Sequence, residues 1–300
     1  MKAVFDQVFV LVLFFAGGWA LCSRKIIRDE QAGALSACVI YFFLPCTMLR
    51  TFAANFTQAY LTEKFSLIFV GSSATVLIVL FSMVFSKKLS DDRYQQGVYE
   101  YLLVCPSYAY IGYELCRSLY GDLALLDLIV FSIPSSILYT YSVGYCKILN
   151  KPLNAKYLLN PTILAIAAGA AIGLTGIKLP NAAGILLEKA AACTAPVGML
   201  TAGAAMAKYS LKEMLIDKTS YILVVFRLLI IPVSLCFILH VLSLDAYVQV
   251  AVLMFAMPVA TNTVVFPKMI GAECETSASA LLISHILCLF TIPLLVELML

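Results

Sequence analysis

Charged residues are scarce in this chain. Asp, Glu, Lys and Arg make up 12% of its 300 residues, whereas a soluble domain usually contains about 25%. Histidine occurs twice and tryptophan once. Apolar residues dominate instead, because 62% of the chain is hydrophobic and the mean hydropathy is +0.97. The composition therefore excludes an ordinary soluble globular protein, and a formal net charge of +3 indicates no nucleic-acid partner.

The sequence also lacks the patterns of metal and catalytic sites. Its ten cysteines form no CxxC pair and no Cys/His cluster with metal-ligand spacing, so we expect neither a metal nor any other cofactor. No HExxH, GxGD or paired Ser/His pattern is present, which argues against an intramembrane enzyme. The first apolar run, residues 8–22, has no small-residue cleavage site after it, so we interpret it as a membrane helix rather than a signal peptide.

Long uncharged apolar runs recur along the whole chain, and the loops between them are too short to form a soluble domain. A run of about 20 apolar residues is long enough to cross a bilayer as a helix. The runs therefore predict an all-α polytopic membrane protein. Its ten transmembrane helices, which we number 1 to 10, are predicted at about residues 4–23, 32–50, 65–86, 97–117, 125–146, 157–177, 187–207, 219–241, 246–267 and 276–298.

Lys and Arg are distributed unevenly between the loops. Of the 20 such residues, 13 lie in the loops that follow odd-numbered helices, 6 lie on the opposite side with the termini included, and Arg227 lies within predicted helix 8. Cytoplasmic loops carry the excess of Lys and Arg in membrane proteins. The distribution therefore predicts a multi-pass protein of the cell membrane with both termini outside.

Two pairs of prolines recur in the same order along the chain. Pro45 in LPCTML is followed after 61 residues by Pro106, and Pro196 in APVGML is followed after 62 residues by Pro258. Pro106 and Pro258 each fall near the middle of a predicted span, helices 4 and 9. This correspondence predicts an internal repeat.

The repeat divides the chain into residues 1–150 and residues 151–300, each with five predicted helices. An odd number of spans gives the two halves opposite orientations in the membrane. Inverted repeats with helices broken at matching positions are a construction of secondary transporters, which bind substrate where the broken helices cross. We therefore predict two inverted five-helix repeats with broken crossover helices 4 and 9.

A broken helix leaves free N–H groups at one half and free C=O groups at the other, which is costly in lipid unless they are satisfied. Two broken helices that cross can satisfy each other and leave positive N-terminal ends facing a cavity. We predict that a small anion binds there. The predicted substrate-binding residues are the four matched prolines and the polar residues after each break: Pro45, Pro106, Ser107, Tyr108, Tyr110, Pro196, Pro258, Thr261, Asn262 and Thr263.

Several carboxylates lie in or near the predicted spans. Glu114 lies 8 residues after the proline of helix 4, or about 12 Å along a helix. That distance places it near the outer interface, where it could pair with Arg117 or take part in proton coupling. Glu100 and Asp127 lie near span ends, and we expect both at the membrane interface.

Two further ionisable residues lie within predicted spans. Arg227 is nominally near the middle of helix 8, where it could be the counter-charge of an anionic substrate. Alternatively helix 8 begins at Leu228 and Arg227 is a cytoplasmic anchor, which is the interpretation we favour. His285 lies deep in helix 10. A neutral imidazole hydrogen-bonded between helices is expected there, and proton coupling is the alternative.

Six motifs occur in order along the chain: AGGWALCSRKIIRDE, YFFLPCTMLRTF, LNPTILAIAAGAAIGLTGIKLP, APVGMLTAGAAM, RLLIIP and AMPVATNTVVFPKMIGAE. With them the chain resembles the auxin efflux carrier family, in its compact bacterial form, over essentially its whole length. The resemblance implies a scaffold of helices 1, 2, 6 and 7 and a transport domain of helices 3–5 and 8–10. It also implies small organic anions such as malate or malonate as substrates, or indole acetate as in plant relatives. In helix 4 the run SYAYIGYE lacks the Asn and the late Pro of the family pattern NxGFxGxP.

We therefore expect a secondary transporter of a small organic anion, malate/malonate-like or auxin-like, that works by elevator-type alternating access in the lipid bilayer. A sodium-coupled bile-acid-type symporter and a membrane sensor that binds without transporting are the alternatives. The Gly169-x-x-x-Gly173 pattern in helix 6 predicts close helix packing, either inside the chain or in a homodimer.

Overall fold

The computed structural model describes residues 2–152, 154, 160–272 and 275–299, without the side chains of residues 136–138 and 141. Within these ranges almost all of the ordered backbone is helical, and the single β-type pairing joins Pro106 to Val259. The all-α class predicted from the apolar runs is therefore confirmed.

The helices, in chain order, are α1 (Lys2–Ser23), α2 (Asp29–Asn55), α3 (Gln58–Lys64), α4 (Ser66–Leu89), α5 (Arg93–Val104), α6 (Tyr113–Ile133), α7 (Tyr145–Leu149), α8 (Pro161–Thr175), α9 (Asn181–Met206), α10 (Leu211–Met214), α11 (Lys218–Val241), α12 (Asp245–Phe255), α13 (Asn262–Lys268) and α14 (Glu275–Met299). Wider π-type turns interrupt α2 and α11 and precede α6 and α7, at Val39–Phe43, Phe226–Ile230, Tyr108–Gly112 and Pro134–Gly144. Two of these turns lie just before a proline, which has no N–H group for the helical ladder.

Among the residues that the structure describes, six helices are long and apolar enough to cross a membrane: α1, α2, α4, α9, α11 and α14, with 22 to 27 residues each. They correspond to predicted helices 1, 2, 3, 7, 8 and 10. Large apolar side chains such as Phe69, Leu80, Phe237 and Phe290 are more than half exposed on them. Because such a surface is stable in lipid and not in water, the protein is a multi-pass membrane protein.

The other predicted spans do not form single helices of that length. Predicted helix 4 is divided into α5 and α6, and predicted helix 9 into α12 and α13. Predicted helix 5 begins inside α6, after Gly121, whose non-helical conformation with a φ of 84° favours glycine and kinks the helical run. Helix α8 has 15 residues, and the predicted start of helix 6 at residue 157 lies outside the described residues.

Helices α1 and α9 cross with their backbones in direct contact. A Cβ atom added at Gly18 would lie 1.9 Å from the Leu200 carbonyl oxygen, and one added at Gly203 would lie 1.8 Å from the Phe15 carbonyl oxygen. Small residues at such a crossing let two membrane helices approach closely, so that van der Waals contact holds them together. Glycine at positions 18 and 203 is therefore a packing requirement.

Helix α2 packs against both α8 and α9. Added Cβ atoms at Gly169 and Gly173 in α8 would lie 2.8 Å from the Phe52 Cβ and 2.5 Å from the Phe56 carbonyl oxygen. The predicted GxxxG contact is thus made inside the chain, and the homodimer remains a prediction. Helices α1, α2, α8 and α9 thus form one group. The other long or broken helices pack mainly against one another: α4, α5, α6, α11, α12 and α14.

We predict that Gly203→Ala lowers the free energy of unfolding by about 1–3 kcal/mol, or Tm by several degrees, because the added methyl group meets backbone atoms. Gly184→Ala is the matched control on the same helix, since a Cβ there meets nothing within 4 Å. The control should be neutral or slightly stabilising. Thermal unfolding of the purified protein in detergent would measure both, and equal Tm values for the two variants would contradict the packing argument.

Candidate functional site

The two chain breaks lie directly against each other. After α5 ends at Val104, the N–H of Ser107 donates to the carbonyl oxygen of Pro258 at 2.7 Å. In the return direction, the N–H of Ala260 donates to the carbonyl oxygen of Cys105 at 3.3 Å. The breaks thus form a short antiparallel pair inside the protein, which satisfies backbone groups that the interrupted helices cannot.

Four helix ends meet at this pair. Helices α5 and α12 end there at Val104 and Phe255, while the π-turn before α6 and helix α13 begin there at Tyr108 and Asn262. The first N–H groups of a helix have no partner within it, and they carry a partial positive charge. The crossing therefore brings two positive and two negative helix ends close together.

A small cavity of about 60 Å³ lies beside the crossing, with space for roughly four water molecules. Six of the predicted site residues line it, and they come from both breaks. The full lining is Ile40, Leu44, Tyr101, Cys105, Pro106, Ser107, Tyr108, Ala109, Tyr110, Thr140, Ala260, Thr261 and Asn262. The residues at both N-terminal helix ends thus face one cavity, and none of the described residues that line it is a carboxylate.

Two hydroxyl groups in the lining have no hydrogen-bond partner within the described part of the chain. These are the Oγ of Ser107 and the Oγ1 of Thr261, on residues that are 5% and 7% exposed. A buried polar group without a partner costs about 1–3 kcal/mol. The two hydroxyls, one from each break, are therefore positioned to bind a molecule in the cavity.

The other four predicted site residues lie outside the lining. The Thr263 hydroxyl donates to the Ala260 carbonyl oxygen at 2.7 Å, and Pro258 contributes its carbonyl to the pairing of the breaks. Pro45 and Pro196 lie in α2 and α9. Near them, Leu44 lines the cavity and Gly198 packs against the ring of Tyr110, which an added Cβ would approach to 2.5 Å.

Sequence reasoning missed Tyr101 and Thr140. Tyr101 lies in the last turn of α5, and Thr140 lies in the π-turn that follows Pro134, where its hydroxyl is 3.2 Å from the Cys105 Sγ. A hydroxyl six residues after a proline in an apolar run was the available signal for Thr140. Tyr101 gave no signal, because tyrosine at that position is also typical of packing between helices.

Arg227 is fully buried within α11. Its Nη1 donates to the Leu103 carbonyl oxygen at 2.9 Å, and its guanidinium carbon lies 5.6 Å from the centre of the Phe255 ring. The expectation that helix 8 begins at Leu228 and that Arg227 is a cytoplasmic anchor is therefore wrong. The helix begins at Lys218, so Arg227 lies about 14 Å inside its start.

His285 is buried in α14. Its Nδ1 donates to the Leu281 carbonyl oxygen of the same helix at 2.7 Å, and its ring stacks on Phe15 of α1 with the centroids 4.9 Å apart. The hydrogen bond expected between helices is thus made within one helix, and ring stacking forms the contact between helices. His285 does not line the cavity.

The structure shows which partners the carboxylates have. Glu114 is half-buried in α6, and Arg117 pairs with Asp122, so the pair expected between Glu114 and Arg117 is not formed. Glu100 is only 5% exposed and forms an ion pair with Lys147, and its interfacial position stays a prediction. A buried carboxylate requires such a partner.

Asp127 is partly exposed and accepts a hydrogen bond of 2.7 Å from the Tyr60 hydroxyl, while the Lys64 Nζ lies 3.6 Å away. Both partners come from the short helix α3 or its end. Exposed lysine and a partly exposed carboxylate fit the interfacial position that was expected for Asp127.

The cavity adjoins a wider one on the side where α2 begins. The two share the lining residues Ile40 and Thr261, and the wider cavity, of about 450 Å³, reaches Asp29, Lys208 and Lys268. Asp29 and Lys208 form an ion pair at this end. The wider cavity therefore reaches Thr261, a residue at the crossing, from the end of the protein at which Asp29 lies.

The opposite end is held by a network of ion pairs. Arg50, 21 residues further along α2 than Asp29 and so about 30 Å away, donates to both carboxylate oxygens of Asp122 at 3.1 and 3.2 Å. Arg117 donates to Asp122 at 3.0 Å and approaches Glu188 of α9 to 4.0 Å. The network ties α2 and α9 to α6, and the hydrogen bonds from Arg50 hold the pKa of Asp122 below its usual value of 3.8.

A family model described as "Membrane transport protein" matches the chain twice, over residues 3–154 and over residues 145–296. Together the two matches cover nearly the whole chain. No curated protein matches the chain.

We predict that Asp122→Asn lowers Tm at neutral pH, because the ion pairs with Arg50 and Arg117 are lost. The pKa of Asp122 is lowered by folding, so its contribution is complete above about pH 4 and is lost as the pH falls further. The difference in Tm between the wild type and Asp122→Asn should therefore be constant from about pH 7 to pH 5 and shrink below about pH 4.

Asp91→Asn is the control, because Asp91 is an exposed carboxylate. Its Tm should follow that of the wild type throughout the titration. If Asp91→Asn and Asp122→Asn behave alike at neutral pH, the network does not stabilise this end of the protein.

Proposed function

The chain belongs to the membrane transport protein family, which is the family of the auxin efflux carriers, and we propose that it is a secondary transporter of a small organic anion. Malate- or malonate-like acids and auxin-like carboxylates are the proposed substrates. The substrate would bind in the cavity at the crossing of the two breaks, where Ser107, Tyr108, Thr261 and Asn262 provide hydrogen-bonding groups.

One observation carries the proposal: within the described part of the chain, two helix N-termini and two unpartnered hydroxyls line the same buried cavity, and no carboxylate does. Helix N-termini attract anions because their N–H groups are unpaired and the helix dipole is positive there. A cation would meet no negative side chain in this lining. A carboxylate could accept hydrogen bonds from the hydroxyls of Ser107 and Thr261 at once.

The proposed membrane topology has ten spans in two inverted five-helix repeats, residues 1–150 and 151–300. The six long helices, the two broken ones, and the segments around α7 and α8 would supply these spans. Pairing of the breaks and the double family match support the repeat. Both termini would lie outside the cell membrane, because the loops around Arg24, Lys88 and Lys208 carry most of the positive charge.

An elevator-type movement is the proposed mechanism. The scaffold would be α1, α2, α8 and α9, which the glycine contacts hold together, and the remaining long and broken helices would move against it. The cavity lies between Leu44 of the scaffold and the breaks, so movement would carry the substrate past α2. Access from the Asp29 end and ion pairs at the Arg50 end correspond to one of the two states that alternating access requires.

Counterflow into proteoliposomes tests the proposed function. The proteoliposomes would be preloaded with malate, malonate, another short dicarboxylate or indole acetate. Uptake would be measured with and without sodium and a pH gradient. Uptake of one acid, independent of sodium, is expected. Sodium-dependent uptake would favour a bile-acid-type symporter, and binding without accumulation would favour a sensor. If a pH gradient drives uptake, Glu114 and His285 are the residues to replace first.

We predict that Thr261→Val weakens binding of the transported acid roughly tenfold, because valine has the same shape but cannot donate to a carboxylate. Thr263→Val is the matched control, since the Thr263 hydroxyl donates to the Ala260 carbonyl oxygen and Thr263 is not in the cavity lining. Equilibrium binding to purified protein would compare the two. Equal affinities for both variants would rule out the Thr261 hydroxyl as a substrate ligand.

A further inference from the structure

The negative helix ends at the crossing work against an anion site. Helices α5 and α12 end at Val104 and Phe255, and each helix end carries the equivalent of about half a negative charge. They lie only a few residues from the positive ends at Tyr108 and Asn262. Left alone, the negative ends would largely cancel the positive potential in the cavity.

Arg227 is hydrogen-bonded to the negative end of α5 and lies beside the last residue of α12. Its Nη1 donates to the Leu103 carbonyl in the last turn of α5, and its guanidinium group lies over the ring of Phe255, the last residue of α12. No carboxylate forms an ion pair with it among the residues that the structure describes. Its Nε and Nη2 have no hydrogen-bond partner in the same set of residues.

A fully buried arginine without a carboxylate partner is costly unless other negative groups compensate it. Here the compensating groups are the carboxyl-terminal ends of the two helices. The arrangement is mutual, because the arginine in turn removes the negative potential of those ends. Arg227 itself does not line the cavity, so it can affect a bound ion only through the field and through the position of α5.

We propose that Arg227 is a positioning residue that neutralises the carboxyl-terminal ends of both broken helices and so makes the crossover cavity selective for anions. The proposal rests on the proposed function, because it concerns the same cavity. It adds a specificity determinant that contacts the helix ends rather than the substrate. Cys105, which lines the cavity, lies two residues from the carbonyl that Arg227 binds.

The charge is present in only one of the two halves. Pro106 and Pro258 are 152 residues apart, and the same offset places Thr75 opposite Arg227. The Thr75 hydroxyl donates to the Gly71 carbonyl oxygen of its own helix at 2.8 Å. A single arginine therefore lies beside the last turn of α5 and the last residue of α12.

The potential in the cavity can be measured without any substrate. Thr261→Cys places a thiol in the lining, and the wider cavity gives reagents access to it. The rates of its modification by an anionic and a cationic methanethiosulfonate, each read at residue 261 by mass spectrometry, give a ratio that depends on the local potential. A change in the fold would alter both modification rates alike, so a purely structural role of Arg227 would leave their ratio unchanged.

We expect Arg227→Gln to lower the ratio of anionic to cationic rates roughly tenfold, because a buried unit charge at short range has an effect of this order. Arg227→Lys should retain most of the ratio. Arg24→Gln is the control, since it removes the same charge from an exposed position where solvent screens it. Arg227→Met, an apolar side chain of similar length, replaces the Gln variant if that variant does not fold.

An unchanged ratio in the neutral Arg227 variants would overturn the inference, as would an equal fall in Arg24→Gln. The result is separate from the proposed function. If the ratio falls but the wild type takes up no carboxylate in counterflow, the proposed substrate class is wrong and the role of Arg227 stands. If uptake occurs and the ratio does not change, anion transport stands and Arg227 has another role.

Discussion

The pairing of two broken backbones is the interaction on which the rest of the structure depends. A membrane helix can be interrupted only where its freed N–H and C=O groups find partners. Here Ser107 and Ala260 donate to carbonyls of the opposite break, so each interruption supplies what the other lacks. Because neither break is stable without the other, the two halves of the chain must meet at this crossing.

The distribution of charge follows from that pairing. Two interrupted helices bring four helix ends together, and the positive ends have different surroundings from the negative ends. The positive ends face a cavity, while the negative ends face a buried guanidinium group that belongs to neither broken helix. The membrane interior therefore holds an arginine at considerable cost, and the broken backbone around it provides the compensation.

The sequence predicted where the two helices break, but it did not predict the contacts of several residues around the breaks. Proline acts locally, so Pro106 and Pro258 predicted both interruptions correctly. Arg227 was misplaced because the apolar run after it is long enough to span a bilayer by itself, so the sequence alone permits either start of the helix. The ion pair of Glu100 was not predicted, because its partner, Lys147, lies 47 residues away in the chain. Contacts between distant helices leave no trace in local periodicity, and Thr140 and Tyr101 entered the cavity lining in the same way.

Gly121 has a left-handed backbone and joins two helical segments without a loop between them. The next residue, Asp122, holds the ion pairs to α2 and α9. A bend in the backbone and the residue that forms the ion pairs are therefore adjacent in the chain. A change of the backbone angles at Gly121 would move the Asp122 carboxylate relative to Arg50, so the ion pairs restrain that bend.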